Sequence, residues 1–149
     1  MRSKHIEALP SEIWKRYKGP DNPFIRRIDA LVGRLRVKER LMLPLIGGRT
    51  TREGEIHINR ILPARIKRSV LAHELGHILG KHVEQRLNRP LQDFEEEYVA
   101  RVVEHLLKKG ELPHPNRKMG ISFTLIPVRQ RVEFIRAIKE LFNIGHDKI

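Results

Sequence analysis

Apolar positions recur along this chain with two periods, and the changes of period mark the predicted elements. Asn22 and Pro23 read as a helix cap followed by a proline that the first helical turn tolerates. Phe24, Ile28, Leu31, Val32 and Leu35 then fall at helical spacing, which predicts a helix over about 23–37. The apolar run Leu41 to Ile46 ends in Gly47 and Gly48, and Glu55 to Asn59 alternates polar and apolar residues as a half-buried strand does. Together these two segments predict a small sheet or hairpin.

From Pro63 onward the period is 3.6, with Ile66, Val70, His73 and His77 on one face and Leu71, Leu75 and Ile78 beside it. Gly80 reads as the stop of that helix. After Arg89 and Pro90 a second helix is predicted from about Leu91 to Lys109, closed by Gly110, with Val99, Val102, Val103, Leu106 and Leu107 as its apolar stripe. A proline-rich loop from Glu111 to Asn116 leads to Ile121–Ile126, a strand or extended segment. A last helix over about 127–143 carries Val132, Ile135, Ile138, Leu141 and Phe142. The sum is an α+β fold, mostly helical, with a short sheet beside the helix that bears His73 and His77.

At 149 residues the chain is expected to form a single domain, and 40% hydrophobic with 32% charged residues fits a core under a charged surface rather than disorder. The absence of cysteine excludes disulfide scaffolds, thiolate metal sites and cysteine nucleophiles, leaving His, Asp, Glu, Ser, Thr and Lys for chemistry. The first residues lack an apolar leader and the run at 41–46 is broken by Pro44, so no membrane segment and a cytoplasmic location are expected. Thirty basic residues against 18 acidic ones give a net charge of +12, which suggests an anionic partner. The basic clusters Arg34–Arg40 and Arg65–Arg68 nevertheless read as solvated helix faces, with neither the aromatic interleaving of single-strand platforms nor zinc-finger spacing. Nucleic acid is therefore not the favoured partner.

The informative stretch is His73-Glu74-Leu75-Gly76-His77, an H-E-x-x-H pattern inside a predicted helix. Residues four apart lie on one helical face about 6 Å apart, so two imidazoles can bind one Zn2+ without straining the backbone. Glu74 is rotated by roughly 100° from His73, a position from which it can act as general base on water. A catalytic zinc usually takes three protein ligands. Glu95, Glu96 and Glu97 open the next helix, and on a helical wheel Glu95 and Glu96 flank the inward face while Glu97 points almost oppositely, to solvent.

The stretch Ser69 to Gly80, preceded by the strand-like Glu55–Asn59 and followed by an acidic helix, resembles the ImmA/IrrE-type zinc metallopeptidases of the gluzincin group. The resemblance covers about residues 55–108, and the H-E-x-x-H motif is its specific part. It implies a zincin-like domain whose third ligand is a Glu followed by apolar residues three, six, seven, ten and eleven positions on; Glu96 meets this pattern, with Glu95 as the alternative. In zincin-like proteins an edge strand also binds the substrate backbone by strand addition, which makes Ile56, His57 and Ile58 the candidate substrate-binding strand. Two rival geometries fit less well. The metzincin pattern would end at Val83, with His82 one residue short, and SprT-type proteases acting on DNA-bound protein take a third His, for which His105 or His114 could serve, although His105 lies away from the inward face of the second helix. The expectation is a zinc peptidase acting on a protein or peptide. Its alternative is a basic nucleic-acid-binding or regulatory protein with a structural or vestigial zinc site.

Overall fold

A computed structural model of the protein describes residues 4–145, apart from the side chains of 121 and 122. The elements follow in the order β1 (Lys4–Ala8), α1 (Pro10–Arg16), α2 (Pro23–Val32), β2 (Leu35–Arg40), β3 (Gly48–Thr50), β4 (Ile56–Asn59), α3 (Ala64–Leu87), α4 (Asp93–Lys109), a 3-10 turn (Ile121–Leu125) and α5 (Val128–Leu141). The fold is α+β and mostly helical, as the periodicities predict. Among the described residues no helix is long and apolar enough to cross a membrane. The chain divides into two compact units, one ending at Glu74 and the other beginning at Leu75, so the division falls inside the continuous helix α3.

In the first unit a four-stranded sheet has the order β1-β2-β4-β3, with β1 antiparallel to β2, β2 parallel to β4, and β3 antiparallel to β4. Its core gathers Ile13, Ile25, Ile28, Val37, Ile56, Ile58 and Leu71. The Asn22 cap is present, its side chain accepting from Phe24 N at 2.8 Å. The helix it starts ends earlier than the spacing suggests, because Leu35 and Val37 are buried in the alternating pattern of β2. Two periods overlap at Leu35, and strand pairing wins. The Arg34–Arg40 cluster accordingly lies largely on a strand rather than a helix face.

The Leu41–Ile46 run is no strand. Leu41, Leu43 and Leu45 are 61%, 71% and 99% exposed in a loop that Pro44 keeps out of the sheet. The fully buried Asn59 ties this loop down, its amide donating to the carbonyls of Ile46 at 2.9 Å and Leu43 at 3.2 Å. Beneath the sheet, the buried Glu39 accepts from Tyr17 Oη at 2.6 Å and from Lys67 Nζ at 2.9 Å. Burial alone raises the Glu39 carboxyl, and these two donors more than offset that, leaving it below its ordinary value.

In the second unit the buried stripe of α4, namely Tyr98, Val99, Val102, Val103 and Leu106, shares a core with Leu75, Leu79 and Val83 of α3 and Phe134 and Ile138 of α5. Gly80 does not stop α3, which continues to Leu87. Its role is close approach: a Cβ at Gly76 would lie 2.5 Å from Ala100 Cα, and one at Gly80 would lie 3.1 Å from Glu96 Cγ. Two glycines one turn apart thus let α3 and α4 pack with almost no side-chain spacer. Ile121–Leu125, expected as extended, forms the 3-10 turn.

Candidate metal centre

Helix α3 carries His73, Glu74 and His77, and α4 carries the glutamates. Because α3 is unbroken, the relation of His73 and Glu74 to His77 is set by the helix itself, one turn apart on one face for the two histidines. The contacts of Gly76 with Ala100 and of Gly80 with Glu96 bring the first turns of α4 against the turn of α3 that holds His77. Both ring nitrogens of His77 meet carboxylates. Nδ1 lies 3.0 Å from Glu96 Oε1, and Nε2 lies 3.1 Å from Glu97 Oε2.

His73, His77 and Glu97 each offer one ligand atom, and these atoms all lie within 4.8 Å of one another. Two imidazoles and one carboxylate form a donor set of the kind zinc takes at sites that keep an open position. The set is half-buried, with the His77 side chain 23% and Glu97 34% exposed. The residues present therefore suit a divalent metal ion. Glu97 Oε1 also faces Arg101 Nε at 3.3 Å, an ion pair one turn along α4.

The carboxylate in the group that could hold a metal ion is Glu97, whereas the sequence suggests Glu96 as third ligand. Glu96 is absent from the group and instead faces the far nitrogen of His77, where a carboxylate fixes the tautomer and aims Nε2 away from itself. Glu95, the alternative, turns into the protein. It is 3% exposed, accepts from Gln92 N at 2.9 Å and pairs with Arg89 at 3.2 Å, so it caps α4. A helical wheel shows where Glu97 points relative to the apolar stripe of α4, but the neighbour that matters is α3, which crosses beside that stripe at Ala100. The signal that could have found Glu97 is the Gly76/Gly80 pair. Small residues one turn apart announce a close helix contact, and such a contact brings glutamates from outside the stripe within reach.

Glu74 is buried, and its Oε1 accepts from Thr50 Oγ1 at 2.7 Å. Sequence patterning drew no attention to Thr50, which belongs to the three-residue strand β3. The candidate substrate strand also changes. Ile56, His57 and Ile58 lie in β4, which is paired on both sides, to β2 and to β3, and all four of its residues are buried. Its backbone has no free edge to offer; that edge belongs to β3. His57 instead pairs through Nε2 with Glu55 Oε1 at 2.6 Å, which holds the Glu55 carboxyl below its ordinary value. His82, His105 and His114 are not members of the metal-capable group. Tyr98 is fully buried against Phe134, and burial pushes its hydroxyl up to about 12. Comparison with protein-family models, curated proteins and solved structures finds no match to this chain.

Proposed function

We propose that the protein is a zinc-dependent peptidase that hydrolyses peptide bonds of a protein or peptide substrate. One observation carries the reading: ligand atoms of His73 and His77 on α3 and of Glu97 on α4 lie within 4.8 Å of one another, and the residue after His73 is a buried glutamate held by Thr50. His73, His77 and Glu97 would hold the ion. Zinc in a three-ligand site supplies water with a pKa lowered to about 7 and polarises a carbonyl oxygen.

The chain's own residues account for the rest. Glu74 would take the proton of the attacking water on a carboxylate oxygen and deliver it to the leaving amine, the role a positioned carboxylate fills in general acid–base catalysis. Thr50 donates to Oε1 of Glu74, which restricts the carboxylate's rotation and leaves Oε2 for the proton. Glu96 would hold the His77 ring in the tautomer that presents Nε2. The free edge of β3, the strand that carries Thr50, would receive an extended substrate backbone. The test is elemental analysis of purified protein together with cleavage of a peptide library. About one zinc per chain and cleavage that Glu74→Gln abolishes without metal loss are expected. Zinc retained in both His73→Ala and His77→Ala refutes the site, and zinc bound with no cleavage of any substrate favours a structural metal in a regulatory protein.

A further inference from the structure

The second unit contains a concave basic surface that meets the metal centre only through the pairing of Arg101 with Glu97. Its pocket, of about 260 Å³, is lined by Arg101, Lys108 and Lys109 from the later turns of α4 and by Arg117 and Lys118 from the loop that follows. Glu104 is the only carboxylate in the lining, so five cations face one anion, a surplus of four positive charges. Arg101 and Lys108 are largely exposed and each has a half-buried partner one turn away, Glu97 at 3.3 Å and Glu104 at 3.4 Å, and i,i+4 pairs at a helix surface contribute little. Lys109, Arg117 and Lys118 make no ion pair among the described residues.

The loop is built around these charges. Gly120 has a φ of 77°, a left-handed conformation that favours glycine, and its backbone lies close against the Arg101 guanidinium. Met119, 8% exposed, anchors the loop from below. His105, also in the lining, has its pKa lowered by burial and then by the nearby Arg117, a sign of the positive potential there. Like charges gathered in a concavity repel one another until an anion enters.

We propose that this pocket binds the pyrophosphoryl group of a small phosphorylated ligand. The number of cations suits a multiply charged anion rather than a single carboxylate, and two arginines offer planar forks for phosphate oxygens. The cations come from two short segments around one concavity instead of forming a stripe, and the lining holds no Phe, Tyr or Trp for base stacking, its one ring being the imidazole of His105. Both features favour a compact ligand over a nucleic-acid backbone.

The probe is inorganic pyrophosphate, titrated calorimetrically into the full chain at about 0.15 M salt, where long-range attraction is screened beyond about 8 Å. Saturable binding is expected, weakened about tenfold by Arg117→Gln and by Lys118→Gln, the loss of one charge-assisted contact each. Arg129→Gln, an exposed charge on α5 outside the lining, should change affinity by less than about twofold. Circular dichroism checks that the variants fold, and Lys109→Gln replaces either one that does not. No saturation at millimolar pyrophosphate overturns the proposal, as does an equal loss in Arg129→Gln. Tighter binding of an oligonucleotide of about ten bases, itself abolished by Arg117→Gln, overturns it in favour of a nucleic-acid surface. None of these measurements involves His73, Glu74 or His77, so they stand or fall apart from the peptidase reading.

Discussion

Two polar clusters in this protein use similar residues to opposite effect. In the first unit Glu39 is nearly inaccessible and its charge is balanced by Lys67, with Tyr17 donating to the other oxygen. Around His77 two carboxylates, Glu96 and Glu97, share one imidazole and remain 40% and 34% exposed. The first cluster is closed, every charge opposed by another of the chain's own. The second sets two carboxylates against one imidazole, with Arg101 facing one of them, and stays partly open to solvent. A closed network holds a fold together, whereas the open one contains His73, His77 and Glu97, a group that could hold a metal ion.

Removing His73 or His77 tests that contrast most severely. Each alanine variant should lose nearly all zinc by elemental analysis, because a structural or catalytic site rarely survives on two ligands. Glu74→Gln comes next, with zinc retained and peptide cleavage lower by about 10²–10⁴-fold. In the closed cluster Glu39→Ala strands a buried ammonium and a phenol, and denaturant unfolding should register a loss of about 3–5 kcal/mol.

The carboxyl of Glu39 is lowered in the folded protein from an ordinary value of 4.5. The unfolded chain therefore takes up its proton first as pH falls. Stability from this group is complete well above pH 4.5 and is lost as pH drops through the folded value, so unfolding midpoints should fall on acidification below 4.5 and fall less in Glu39→Gln. A finer comparison separates neighbours on α4. Glu97→Gln should weaken zinc binding most, Glu96→Gln by about 10–100-fold as the loss of a partner behind the ligand, and Glu95→Gln should leave zinc in place while lowering stability by about 1 kcal/mol. Smallest is Thr50→Val, expected to reduce cleavage by about tenfold or less at unchanged zinc content, the effect of one lost hydrogen bond to Glu74. Equal zinc affinity in Glu96→Gln and Glu97→Gln would erase the distinction drawn between the two.

Local signals read well from the chain. The Asn22 cap, the strand at Ile56–Asn59, the stripe of α4 and the stop at Gly110 all occur where short-range chemistry places them, although that strand is buried on both faces rather than half-buried. Errors gathered where a residue's meaning depends on something distant. Leu35 fits both a helical and an alternating period, and a partner strand decides between them. Gly80, a breaker by local preference, lies inside α3, where its missing side chain leaves room for Glu96. The exposed leucines of 41–46 look like core until Asn59 is seen to hold them in a loop.

The sequence alone determined the pair of imidazoles and the intervening Glu74, because helical periodicity within five residues needs no tertiary partner. Tertiary structure decided which of three consecutive glutamates joins them. Glu95, Glu96 and Glu97 differ by only about 100° each around one helix, and that rotation has no meaning until a second helix is packed alongside. Local capping through Gln92 takes the first, and packing at Gly76 and Gly80 sets the second at the back of His77 and the third in the group that can hold a metal ion.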